Sequence, residues 1–425
     1  MTARLMLESC YESSFFVWQH SLEVIQEMRE WRPASLTDLP FTIGFHAVKV
    51  LLMKNSGYFS IFCLGFGVLS AHAALPFERQ VIDADISIGY GLAIGDVDGD
   101  KKPDILLADK SQAAWYRNGD WKRFVMTENI NPRVVTRFLD NVCIAARDID
   151  GDGKVEVAVG ANWNPGETSD KTKSGSVHIL ERPDDPTKRW GSKKLDHLPT
   201  VHRMHFVKSG KGFELQVLPL HGVGNRGGAG EAVKMLHYSA GDWKMVAHDI
   251  GLHATHNFDV AVGVKGSEGV IVGGKEGVIF WNNLKQEKIV SNPLSRGVGE
   301  VRIENGMVAT IEPMHGNEVV VYGAPEKGSK DPTRTSLDAT LNQGHALAMA
   351  DLDGDKKPEV LAGWRGGKGG IRIYIQGADG WKTEALDDGG ITCEDLKVAD
   401  LNGDGKPDVI ATGRGSKNVV IYWNK

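Results

Sequence analysis

An acidic phrase flanked by apolar residues occurs four times in this chain. The copies are GDVDGDKKPDILLA from Gly95, RDIDGDGKVEVAVG from Arg147, ADLDGDKKPEVLAG from Ala350 and ADLNGDGKPDVIAT from Ala399. Each sets oxygen-bearing side chains at loop positions 1, 3, 5 and 9. The first two sets are Asp96, Asp98, Asp100 and Asp104, then Asp148, Asp150, Asp152 and Glu156. The last two are Asp351, Asp353, Asp355 and Glu359, then Asp400, Asn402, Asp404 and Asp408. With glycine at position 4 and a backbone carbonyl at position 7, this is a hard-oxygen set suited to Ca²⁺. An EF-hand would continue to a bidentate Glu at position 12. That position is Leu107, Val159, Ala362 or Ala411, within runs of β-formers, so each loop joins two strands rather than two helices.

Spacing turns the loops into an architecture. Asp96 and Asp148 are 52 positions apart and Asp351 and Asp400 are 49 apart, close to the length of one propeller blade. The 203 positions between Asp148 and Asp351 hold three more blades without acidic loops, which predicts an all-β, seven-bladed propeller of four-stranded antiparallel blades. Outer strand pairs recur in AAWYRNGDWKRFVM from Ala113, VKMLHYSAGDWKMVAHDI from Val233, GVIFWNNLKQEKIV from Gly277 and GIRIYIQGADGWKTEAL from Gly370. The last blade ends at Trp423 without its outermost strand, and PFERQVID from Pro76 resembles the missing one. The expectation is closure of the ring by the mature N-terminal strand, which removes an exposed sheet edge.

Residues 1–73 stand outside the repeat. Met53-Lys54, the apolar stretch Tyr58 to Leu69 and Ala71-His72-Ala73 read as a signal peptide over 53–73, preceded by 1–52 as upstream sequence from a misplaced start. The apolar stretch is too short for a membrane span, which needs ~20 residues. The mature chain, 74–425, is then one secreted or periplasmic domain. Only Cys143 and Cys393 remain in it, so calcium and ring closure rather than disulfides hold it together. A net charge of −6, with no basic stripe, argues against nucleic acid as a partner.

Residues at the starts of inner strands converge on one mouth of a propeller. Counting back from the acidic loops gives Tyr90, Val142, His345 and Glu394, and aligning the remaining blades adds His202 and His256. Ends of second strands contribute Lys110, Asn162, His221, Lys275, His315, Arg365 and Arg414 to the same mouth. The expected substrate contacts are Tyr90, Lys110, Arg365, Glu394 and Arg414. One reading has His202, His256 and His345 holding Zn²⁺ or another divalent metal through imidazole nitrogens; the other has them binding sugar hydroxyls or moving protons without a metal. His178, His197, His237 and His248 fall in outer strands or loops and read as structural.

The acidic phrase resembles FG-GAP or VCBS repeats. LPTVHRMHF, VLPLHG, THNFDVAV, IEPMHGNEVVVY and NQGHALAMADLDGD are similar to the propeller of aldos-2-ulose dehydratases and, less closely, to rhamnose–glucuronate lyases. The resemblance implies β-elimination on a carbohydrate substrate, a ketosugar or a uronate-containing glycan, with His202, His221, His256, His315 and His345 as catalytic residues. The chain lacks the cupin modules that follow the propeller in the dehydratases. The alternative is a non-catalytic carbohydrate-binding or adhesion propeller.

Overall fold

The computed structural model describes residues 54–55, 58–59, 75–128, 140–226, 230–261, 268–282, 285–291, 297–325 and 331–425. The expected upstream segment 1–52 lies outside these residues, as does nearly all of the expected leader at 53–73. Within 53–73 only Lys54–Asn55 and Tyr58–Phe59 are described, paired antiparallel. The chain divides into units Met1–His72 and Ala73–Lys425, and the second carries the fold.

Seven antiparallel four-stranded sheets follow one another, each starting with an inner strand. The inner strands are Gly91–Gly95, Cys143–Arg147, Val201–Ser209, Thr255–Ala261, Val301–Glu304, Gly344–Ala350 and Cys393–Ala399. Successive inner strands touch, and the seventh touches the first, so the sheets close into a ring. Second strands such as DILLAD and DVIATG are buried along their whole length, because a blade is covered on both faces by its neighbours. Their apolar runs therefore lack the alternation of a half-exposed sheet. The core is accordingly divided into seven apolar clusters, one at each blade junction.

Polar latches reinforce several junctions. A third-strand tyrosine reaches the end of the preceding blade's outer strand: Tyr116 donates to Asp83 (2.7 Å), Tyr374 to Asp338 (2.8 Å) and Tyr422 to Asp387 (2.7 Å). Tyr238 does the same to the Asp196 carbonyl. The last blade takes its fourth strand from Phe77–Asp83, which pairs antiparallel with Val419–Asn424, as the missing C-terminal strand required. Cys143 and Cys393 are buried free thiols.

The acidic loops share one hydrogen-bond scheme. The position 1 carboxylate accepts the amides of positions 4 and 6, as Asp96 does from Gly99 (2.6 Å) and Lys101 (2.7 Å) and Asp400 from Gly403 (2.7 Å) and Gly405 (2.8 Å). Position 4 has φ of +87°, +84°, +81° and +76° in the four loops, the left-handed region in which glycine is unstrained. Position 9 caps the loop from below: Asp104 accepts from Val97 N at 2.8 Å and Glu359 from Leu352 N at 2.7 Å.

Candidate functional site

The mouth opposite the acidic loops is built from one residue per blade at the start of each inner strand: Tyr90, Val142, His202, His256, Glu300, His345 and Glu394. In four blades the residue sits in a β-bulge, where pairing skips from Val201 to Arg203, Thr255 to Asn257, Gly344 to Ala346 and Cys393 to Asp395. The bulge leaves His202, His256, His345 and Glu394 out of the ladder and turns them toward the axis, a use of bulges found beside active sites. Glu300 is the member that sequence alignment missed. Blade 5 has no acidic loop from which to count, and GVGEVRIE carries no other marker of the level.

These residues and the following turns enclose a cavity of about 250 Å³ lined by Tyr90, Trp163, His202, Arg203, His256, His315, His345, Arg365, Glu394 and Arg414, among others. Ring nitrogens of His256, His315 and His345 lie within 4.8 Å of one another. His256 Nε2 is 2.7 Å from His315 Nε2, and the His345 ring centroid is 5.1 Å from that of His256 and 5.0 Å from that of His315. Two of the three are oriented from behind. His345 Nδ1–H donates to the Glu394 carbonyl at 2.7 Å, and His256 Nδ1 lies 2.9 Å from Oε1 of the buried Glu300. His345 therefore carries its proton on Nδ1 and turns an Nε2 lone pair inward, the arrangement that metal-binding histidines share, whereas the His256–Glu300 contact is close without hydrogen-bond geometry.

Desolvation lowers the basicity of all three, although His256 and His345 are buried and His315 is exposed on its turn. His345 is pushed well below the ordinary imidazole value, His256 is lowered and His315 is held down to about 3, in each case chiefly by desolvation. They are neutral near pH 7, as ligands must be. His315 stands on a turn at φ +53°, a sparsely populated region for a side chain and one concentrated at functional sites. The following Gly316 is required, since a Cβ there would lie 2.2 Å from the Glu312 carbonyl oxygen.

The sequence grouped His202, not His315, with His256 and His345. His202 does line the cavity, its ring centroid 4.8 Å from that of Trp163 and 4.7 Å from that of His256, tilted against both. Its Nδ1–H donates to the His256 carbonyl (2.7 Å), and its Nε2 accepts from Arg203 Nη1 (3.2 Å). Counting along a strand gives a residue's level on the axis but not which ring nitrogen its partners leave free. His315 meets the cluster because its turn folds inward over the cavity.

Of the expected substrate contacts, Tyr90, Arg365, Glu394 and Arg414 line the cavity. Glu394 is buried and accepts from Arg365 Nη1 (3.0 Å) and Arg414 Nη1 (2.8 Å), so it anchors two guanidiniums that together exceed its charge. Arg414 lies 5.5 Å over the Tyr90 ring. Burial is the first cause that raises the Tyr90 pKa, so the phenol keeps its proton. Lys110 and His221 do not line the cavity. Lys110 is exposed on its turn, and the main chain at His221 bridges to Ala254, leaving Leu220 to form the wall.

On the opposite face, carboxylates gather within 4.8 Å in three acidic loops: Asp96, Asp98 and Asp104; Asp148, Asp150 and Glu156; Asp351, Asp353 and Asp355. Asp100 and Asp152 turn outward toward Lys102 and Lys154, and Glu359 turns to its capping amide. Burial and the neighbouring carboxylates push Asp104 and Glu359 up to about 7.

Family comparison agrees with the loops. The FG-GAP-like repeat matches residues 96–159 and 351–411, and the FG-GAP repeat matches 144–180. The chain carries FG-GAP repeats. Among solved structures its fold is similar to the extracellular domain of BT4673 from B. thetaiotaomicron, at 13% identity and TM-score 0.50. That match covers 81% of this chain and 39% of the other, so this chain spans about two fifths of BT4673's crystallised length. It is also similar to BBS1N crystallised with ARL6DN, at 13% identity and TM-score 0.54, covering 82% and 96%. Such identities show a shared fold alone. No curated protein matches the chain.

Proposed function

We propose that this FG-GAP propeller is an exported carbohydrate lyase or dehydratase whose reaction centre is the histidine mouth. In this reading His256, His315 and His345 hold a divalent transition metal such as Zn²⁺, and Ca²⁺ is structural in the acidic loops. The observation that carries the proposal is the convergence of three neutral imidazoles, two of them oriented by a carboxylate or a carbonyl at Nδ1. A hydrogen-bonding role in the fold does not require three ring nitrogens to face one another. Export is supported by the leader-like segment at 53–73.

A metal held by these three imidazoles would supply polarisation of the carbonyl or carboxylate next to the proton that is removed. The protein's own groups fit the remaining steps of a β-elimination. Arg365 and Arg414 receive a uronate carboxylate, with only Glu394 to offset them. His202 Nε2, which accepts from Arg203 in this structure, is the base placed to take the α-proton, and the Tyr90 phenol gives a proton to the departing oxygen as the C–O bond breaks and the double bond forms. The resemblance of the histidine-bearing phrases to aldos-2-ulose dehydratases and rhamnose–glucuronate lyases points to the same chemistry.

The test is to strip the purified protein of metal, restore Ca²⁺ alone or Ca²⁺ with Zn²⁺, and follow the absorbance of unsaturated product on ketosugars and rhamnose-capped glucuronides. Turnover that requires the transition metal is the expected result. Tight sugar binding at the mouth without turnover under any metal would replace the enzyme by a binding propeller.

A further inference from the structure

A second cavity, about 310 Å³, opens between the third and fourth blades on the face that carries the acidic loops, away from the histidine mouth. Its origin is legible in strand pairing. In four blades the second-strand residue two places after the loop's ninth position pairs with an apolar third-strand residue: Leu106 with Trp115, Ala158 with Ile179, Leu361 with Ile373 and Ile410 with Ile421. These pairs fill the junction with the next blade. The corresponding pair in blade 3 is Gln216 with His237. The acidic loop is absent there, and Ser209 and Gly212 pair across a tight turn. A space that is core elsewhere is thus a polar cleft.

Two acceptors in the cleft lack partners. Gln216 and His237 are 6% and 9% exposed, and Gln216 Oε1 and His237 Nε2 are buried without a hydrogen-bond partner. His237 Nδ1–H donates to Glu214 at 3.0 Å, which leaves Nε2 of the neutral ring as an acceptor. A buried unpaired acceptor costs ~1–3 kcal/mol unless something donates to it. Glu268 is matched by both Arg147 nitrogens at 2.7 and 2.8 Å, while Glu214 keeps its charge beside the neutral His237 and Lys208 brings one positive charge to the same cleft. The charges of the cleft therefore balance, with no excess to select a cation or an anion. It offers acceptors for hydroxyl donors beside the apolar wall of Trp281 and Val246.

We propose that this cleft is a separate site for a neutral polyhydroxylated ligand, one sugar ring, whose hydroxyls donate to Gln216 Oε1 and His237 Nε2. Its volume lies at the lower end of small-molecule sites, about 300–1,000 Å³. The site is independent of the metal reading at the mouth and would hold a glycan on the propeller rather than transform it.

The full chain is titrated with glucose, rhamnose and myo-inositol by calorimetry. The variants are Gln216→Met, which removes an acceptor at constant shape, Ser239→Trp, which fills the cleft from its exposed rim, and His315→Ala at the mouth. The expected result is sugar binding that weakens about tenfold in Gln216→Met, disappears in Ser239→Trp and persists in His315→Ala. A thermal midpoint retained in Ser239→Trp keeps the comparison valid if Gln216→Met folds poorly. The proposal is overturned if none of the three sugars binds, which leaves water as the donor, or if binding survives in Ser239→Trp. It is equally overturned if His315→Ala alone removes binding, or if an alkylammonium ion competes with the sugar.

Discussion

His256 is the most constrained residue of the mouth, with Glu300 behind it, His315 and His345 in front and His202 beside it. Burial favours the neutral form of both His256 and Glu300, yet Glu300 is held below the usual carboxylate range because His256 and Arg302 face it. His315→Ala removes one of three converging nitrogens and is expected to abolish transition-metal uptake while the calcium content stays unchanged, as read by elemental analysis. Glu300→Gln keeps the shape but weakens the hold on Nδ1, and metal affinity should fall about 10- to 100-fold. Away from the mouth, burial depresses His178 in the third strand of blade 2 to about 4. The unfolded chain takes up this proton near pH 6.5 and the folded chain only near 4, so His178 costs stability as pH falls through that window. His178→Asn should flatten the pH dependence of urea unfolding between pH 6.5 and 4 by roughly 2–3 kcal/mol. An unchanged slope would show that His178 is not responsible.

At the scale of the element, two devices recur. The acidic loop is pre-shaped by hydrogen bonds from its own amides to the position 1 and position 9 carboxylates, so a cation meets an assembled cage. Chelator should lower the thermal midpoint, and Asp98→Ala, which removes a carboxylate from the first cage, should lower it in calcium and reduce the calcium-dependent gain. If calcium leaves the midpoint of the parent protein unchanged, the loops are held by hydrogen bonds alone. The second device is the tyrosine latch between blades. Tyr374→Phe removes one donor from Asp338, which keeps Arg372 as a partner, and a loss of about 1–2 kcal/mol in denaturant unfolding is expected.

The whole molecule depends on closure. The Phe77–Asp83 strand buries little, and its four central residues are exposed. It pairs along the full edge of Val419–Asn424, and Asp83 receives Tyr116 and Arg123 of blade 1 while Arg79 reaches Asp387 of blade 6. One strand thus ties the last blade to both neighbours. A chain beginning at Ile86 is expected to unfold at lower denaturant and to self-associate through the open edge, as seen by light scattering. Equal stability and a monomeric state would mean that the ring is held by the blade junctions alone.

Strand periodicity, the acidic loops and their spacing determine seven blades, the strand order and the closing strand, because each is a local pattern repeated at blade length. They also set the level of Tyr90, His345 and Glu394 on the axis, which follows from counting back from a loop. Where no loop marks the register, counting fails, and Glu300 came to light only when blade 5 was folded. The choice of His315 over His202, and the placement of Lys110 and His221 outside the cavity, were decided by tertiary structure. They depend on which ring nitrogen a carbonyl or guanidinium from another blade occupies and on how a turn folds over the axis. The Gln216 and His237 pair is visible in the sequence as two polar residues. Only packing against the fourth blade makes them two unmet acceptors in one cleft.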